Sequence, residues 1–257
     1  MSDSVKYDQD GAVAVITINR PDAMNALTTE VCVALQQALE DAAAEASVRA
    51  VVLTGEGRCF SAGADLKAGF EGRKVTGKLH YEYRPVLSAI ATMAKPVIAA
   101  IQGSAAGIGM SMALYCDLVI MADDAFLLSP FATISLVPDG GLNWTLVRHL
   151  GYHRAYQLSV EAERIPAPRC VELGLVNRTA PAGELQDAAK DWAAALAKRA
   201  PLSLAATKKA MRFAMDHDWA SAYDLEAELQ QTCRDSEDCV EGVQAFFDKR
   251  EPNFKGK

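Results

Sequence analysis

The first half of this 257-residue chain alternates between short apolar runs and longer segments of helical periodicity. No other feature restricts the fold as much. Residues 12–20 (AVAVITINR), 49–55 (RAVVLTG), 95–103 (KPVIAAIQG) and 116–122 (CDLVIMA) each read as a strand. Residues 28–46 (TTEVCVALQQALEDAAAEA) read as a helix with Thr28 or Thr29 at its cap. Two glycine-containing loops, 55–66 (GEGRCFSAGADL) and 103–114 (GSAAGIGMSMAL), each lead towards a predicted helix. Strand, loop, helix, strand is the pattern of α/β proteins with a parallel sheet, whose ligands sit beyond the strand ends.

From about Leu142 onward the strands nearly vanish and the periodicity predicts helices to the end of the chain. The polar, glycine-containing stretch 69–78 (GFEGRKVTGK) reads as a mobile loop. A chain of this length suits one large domain, or one domain with a smaller appendage. Half of its residues are hydrophobic, enough for a sizeable core, yet no run approaches the roughly 18 apolar residues of a membrane span. The N-terminus lacks the layout of a secretory signal, and the six cysteines form neither a CxxC pair nor a cluster with histidine. Those features suggest a reduced, cytoplasmic protein without a metal centre. A net charge of −7 argues against nucleic acid as a partner.

Small residues in 60–66 (FSAGADL) and 105–111 (AAGIGMS) let backbone approach a ligand closely. A loop entering a helix presents unpaired N–H groups at the positive end of the helix dipole. Two such loops aimed at one oxygen would make an oxyanion hole; alternatively, the glycines merely permit tight turns. Asp139, in 135–144 (SLVPDGGLNW), also has two readings. Pro-Asp-Gly is a common turn, and a lone carboxylate among apolar neighbours can be a base. Apolar Phe131, Leu136, Leu142 and Trp144 would desolvate it and raise its pKa. His80, His149, His153 and His217 show no spacing with a nucleophile or a metal-ligand partner.

FSAGADL, then residues 95–126 (KPVIAAIQGSAAGIGMSMALYCDLVIMADDAF), then ISLVPDGG, in this order, resemble the enoyl-CoA hydratase/isomerase, or crotonase, family. The likeness extends to TINRPDAMNAL near the start and EGVQAFFDKREPNFKGK at the end. It implies an α/β fold, a crotonase-like spiral of ββα units over residues 1–195, with a helical C-terminal trimerisation region over 196–257. It also implies a homotrimer or a dimer of trimers, and an acyl-CoA thioester as substrate, coenzyme A being part of that substrate rather than a cofactor. By position, the thioester oxygen would accept the N–H groups of Ala62 and Ile108. Gly107, Ser111, Phe131, Gly140, Leu142 and Trp144 would surround the acyl group. Coenzyme A would meet Ala64, Asp65 and Leu66, with Arg20 and Ala23 nearby. Lys67, Phe246 and Lys249 would reach its phosphates or adenine, the last two from a neighbouring subunit.

The hydratase branch of that family uses two glutamates, and their places hold Ser111 and Phe131. Neither can activate water as a carboxylate does. Members that shift a double bond often carry a carboxylate at the place of Asp139, so the resemblance favours an isomerase. Leu142 departs from that subgroup, which often has a third glycine there, and puts the acyl group in question. Three rivals stand beside it: an unusual hydratase, an enzyme using Asp139 as nucleophile on an aryl-CoA, and a non-catalytic acyl-CoA-binding subunit.

Overall fold

The computed structural model describes residues 3–67 and 74–257. Of the expected loop 69–78, residues 69–73 lie outside the described residues, and Val75–Lys78 is helical. The strands are β1 (Val5–Asp10), β2 (Val13–Ile18), β3 (Ala50–Gly55), β4 (Val97–Ile101), β5 (Ser104–Ala106), β6 (Leu118–Ala122), β7 (Phe126–Leu128), β8 (Ile165–Pro166) and β9 (Arg178–Ala180). The helices of the first half are α1 (Thr29–Ala44), α2 (Val75–Lys78), α3 (Arg84–Thr92) and α4 (Ile108–Tyr115). Those that follow are α5 (Leu142–Leu150), α6 (Tyr152–Glu161), α7 (Ala167–Glu172) and α8 (Leu185–Ala197). The last three are α9 (Pro201–Ala214), α10 (Trp219–Arg234) and α11 (Glu237–Asp248).

The larger sheet runs β1-β2-β3-β4-β6-β9 and is parallel except for the β1–β2 hairpin. Every residue of β2, β3 and β4 is buried. That explains their largely apolar sequences, since a central parallel strand is covered on both faces. Each fully buried Ile or Leu, such as Ile16, Leu53 and Ile98, contributes about 1.5–3 kcal/mol. Thr28 caps α1, its hydroxyl accepting the Val31 N–H at 3.3 Å. The polar strand β1 is an edge whose partner covers one side only, so VKYDQD lacks the apolar signal of its neighbours.

A second, smaller layer arises from the same repeating path. After β3, β4 and β6 the chain steps sideways into Ser61, β5 and β7, which pair with one another in parallel. β8 closes that layer against β7. Strand in one sheet, strand in the next, then helix is the ββα spiral expected from the sequence. β5 falls inside what the sequence presents as a glycine loop, because a three-residue strand has no readable period. All seven C-terminal helices expected from the sequence are present, interrupted only by β8 and β9.

Candidate active site

Both glycine loops emerge at the junction of the two layers. Ser61 bridges to Ala105, with the Ser61 N–H on Ser104 O at 3.1 Å and the Ala106 N–H on Ser61 O at 2.9 Å. The loops touch at their glycines. A Cβ on Gly63 (φ 94°) would stand 2.7 Å from Ala106 O and 3.5 Å from Gly107 Cα. Only glycine permits that approach, and it brings Ala64 and Ile108 to the wall of one cavity.

Among the described residues, the N–H groups of both are without an acceptor. Leu27 pairs with Ala64 as in a parallel ladder, its N–H on Gly63 O at 2.7 Å and its carbonyl accepting from the Asp65 N–H at 3.1 Å. The residue between two such bonds turns its own N–H away from the partner strand, and the Ala64 N–H has no partner among the described residues. Ile108 is the first residue of α4, after Gly107 (φ 54°), so its N–H has no acceptor one turn back. Ala62, in contrast, donates to Met24 O at 2.9 Å. Its expected place as a donor to the ligand is therefore corrected: that N–H is already used, and the available one belongs to Ala64.

Asp139 faces the same cavity. The turn around it is held by main-chain groups: Leu142 N–H donates to Asp139 O at 3.1 Å, and the Ser111 hydroxyl donates to the same oxygen at 2.9 Å. Gly140 (φ 61°) and Gly141 (φ 76°) complete the turn, and a Cβ on Gly140 would collide with Ile108 Cδ1. The carboxylate takes no part in any of this. Its Oδ1 is shut off from solvent and accepts no hydrogen bond from any described residue. Burial pushes the Asp139 pKa from 3.8 up to about 6, and the nearby Lys78 ammonium opposes the rise. Asp139 is thus in a turn, but its side chain does not make the turn.

The cavity, about 190 Å³, is otherwise apolar, walled by Leu79, Phe131, Ile134, Leu136 and Val137 and rimmed by Asp65, Leu66 and Lys78. Arg20 Nη1 holds Asp65 Oδ2 at 3.0 Å and Ala26 O at 2.6 Å, which fixes the rim. Phe131 and Gly107 line the wall as expected from the sequence, the Phe131 ring 3.8 Å from where a Gly107 Cβ would stand.

Other expectations are corrected. Leu142 is fully buried in the core behind the cavity, and Trp144 points into a separate cleft, its Nε1 donating to Asp216 at 3.1 Å. Helical spacing turns Leu142 and Trp144 to other faces of α5, so neither desolvates Asp139 from the cavity side. Ser111 is buried with its hydroxyl committed to the turn. Gly140 supports the wall from behind; Ala23, Phe246 and Lys249 do not line the cavity within one chain.

Tyr83 was not singled out by sequence reasoning. Val75, Leu79 and Tyr83 stand four apart and line one wall together. That spacing in VTGKLHYEY was a legible sign of a helical face, obscured by the glycines preceding it. Among the described residues, no group of three or more His, Cys, Asp or Glu is placed to hold a metal ion, and no helix is long and apolar enough to cross a membrane.

A spiral of ββα units whose two glycine loops meet over an apolar cavity is the architecture of the crotonase class. The chain belongs to the enoyl-CoA hydratase/isomerase family, whose model matches residues 8–257. It is 40% identical over 255 residues to a probable enoyl-CoA hydratase of Rhodobacter capsulatus, covering 99% of this chain and 98% of that protein. A 1,2-epoxyphenylacetyl-CoA isomerase of Escherichia coli is 34% identical, with 95% of each chain covered. The crystal structure of an enoyl-CoA hydratase from Polaromonas superposes with a TM-score of 0.93 at 35% identity, covering 97% of this chain and 99% of that one.

Proposed function

We propose that the chain is an acyl-CoA double-bond isomerase that converts a 3-enoyl-CoA into the conjugated 2-trans-enoyl-CoA. The observation that carries this reading is the half-buried Asp139 carboxylate, its Oδ1 shut off from solvent and without a partner among the described residues, in one cavity with the free N–H groups of Ala64 and Ile108. A 3-enoyl thioester has acidic C2 protons, because the resulting anion delocalises onto the thioester oxygen. The N–H groups of Ala64 and Ile108 bind that oxygen more strongly as it becomes an enolate, an effect worth about 3–4 kcal/mol per donor. Asp139 takes the proton from C2 and returns it at C4. One carboxylate is sufficient, since it serves first as base and then as acid. With a pKa of about 6 it is ionised at neutral pH and is a stronger base than a solvated aspartate.

Coenzyme A lies along the rim at Asp65 and Leu66, and Phe246 and Lys249 reach its nucleotide from a neighbouring subunit of a trimer. The names of the relatives favour a second reading. Most of those reported, including the Rhodobacter and Polaromonas proteins, are called hydratases. Hydration by a glutamate pair is disfavoured here, because Ser111 is held in the turn and Phe131 is a hydrocarbon wall.

Product analysis with 3-enoyl-CoA and 2-enoyl-CoA esters tests the choice. The wild type is expected to conjugate the 3-enoyl ester and barely to hydrate the 2-enoyl ester. Asp139→Asn is expected to lose about 10²- to 10⁴-fold in turnover while still binding coenzyme A. Rapid hydration that is indifferent to Asp139→Asn would end the isomerase reading.

A further inference from the structure

The cavity contains a polar group for which double-bond migration has no use. Tyr83 is only 3% exposed and lines the cavity, and its hydroxyl is shut off from solvent with no hydrogen-bond partner among the described residues. Among the described residues of the cavity wall, only Asp139 Oδ1 is in the same condition. A dry, unpaired hydroxyl is costly, and in a folded protein such a group calls for an explanation. Here the explanation has to come from the occupant of the cavity.

The phenol is a donor at any working pH. Burial, then the proximity of Cys32, Asp139 and Glu82, pushes its ionisation upward, so the O–H persists. Lys78, the one cation among the described residues of the wall, has its Nζ 5.6 Å from the centre of the Tyr83 ring. Tyr83 closes a π-helical turn, Leu79–Tyr83, between α2 and α3. Such turns insert an extra residue into the helix and are frequent at functional sites. The remaining wall from Leu79 through Val137 is hydrocarbon. A plain alkenyl chain would satisfy those walls and leave the phenol unpaired.

We propose that Tyr83 is a specificity residue whose O–H donates to an oxygen carried by the acyl group itself. The preferred thioester then has a hydroxyl, carbonyl or ring oxygen beyond the reacting carbons, set in a largely apolar acyl chain. This rests on the acyl-CoA reading of the cavity and names its substrate class more closely. A site with a buried donor discriminates strongly against an analogue lacking the matching acceptor, because the donor is then left unpaired.

The test compares 3-hexenoyl-CoA with its 5-hydroxy and 6-hydroxy counterparts on the wild type and on Tyr83→Phe. The wild type is expected to favour one hydroxylated ester by at least about ten-fold in kcat/KM, with that ratio falling to about one in Tyr83→Phe. Calorimetric binding of hexanoyl-CoA and its two hydroxylated counterparts, which do not react, repeats the comparison without turnover. If no ester is isomerised but the binding ratio behaves as expected, the isomerase reading fails and the specificity of Tyr83 stands. A ratio near one in the wild type, or one that survives Tyr83→Phe, overturns the proposal. So does an equal loss on all esters with a displaced acid limb of the pH profile, which would assign the phenol to Asp139 instead.

Discussion

At the scale of single residues, the burial that makes Asp139 a useful base also makes it a burden on the fold. Its pKa is 3.8 in a solvated chain and about 6 in the folded one. The folded state therefore holds the proton more tightly than the unfolded state does. The neutral acid is tolerated in the cavity, so relative stability is fully present below about pH 3.8 and is lost as pH rises through about 6. A shift of that size is worth at most about 3 kcal/mol. Solvent reaching the outer part of the carboxylate reduces it to about 2 kcal/mol. Asp139→Asn, which never ionises, is accordingly expected to be more stable than the wild type at about pH 7.5, with the gap narrowing towards about pH 5. Thermal melts of both proteins at the two pH values decide it. A gap that is constant with pH would mean that Asp139 is no more buried than an ordinary turn residue.

At the scale of elements, α9 is tied to the spiral by charge rather than by fully buried apolar side chains. α9 has no buried residue in its 14, and its hold on the core is Lys208. That ammonium donates to Ile90 O and Asp117 Oδ2, each at 2.7 Å, and Arg212 binds Asp117 Oδ1 at 3.0 Å. Asp117 immediately precedes β6 and also accepts the Val97 N–H of β4 at 2.9 Å, so one carboxylate links two strands to one helix. Removing one partner of a largely buried pair leaves an uncompensated charge. Lys208→Met is expected to destabilise the fold by about 2 kcal/mol, below the value for a wholly buried pair because Arg212 still faces Asp117. A urea titration that leaves the midpoint unmoved would refute this. The helices themselves were plain in the sequence, since a 3.6-residue period survives exposure, and so were the buried strands β2, β3 and β4. The weak elements, β1, β5 and β7, are edges or three-residue pieces defined by what they pair with. The same limit explains the site. That Asp139 and Ile108 share a cavity follows from two sequence motifs, but which N–H of FSAGADL is free depends on Leu27 pairing with Ala64 and on Met24 O occupying Ala62. No local pattern encodes those pairings.

At the scale of the whole molecule, the proposed trimer would account for apolar side chains that one chain leaves exposed on its last three helices. Neither α9 nor α10, of 14 and 16 residues, buries a single residue within the chain. Met211, Trp219, Tyr223, Val243, Phe246 and Phe247 are each more than half exposed on α9 to α11. Exposed apolar side chains in this number are what an interface between subunits would cover. A cyclic assembly would cover them and would bring α11 of one chain towards the cavity rim of the next, where Phe246 and Lys249 are proposed to meet coenzyme A. Light scattering during gel filtration at micromolar concentration is expected to give about three or six times the 27.6 kDa chain mass. Phe246→Asp places a charge on the exposed apolar face of α11, so it is expected to lower the assembled fraction and to weaken coenzyme A binding in parallel. If the wild type runs as a 27.6 kDa monomer, or if Phe246→Asp dissociates the assembly without touching coenzyme A affinity, the nucleotide site is complete within one chain and the trimer is not part of it.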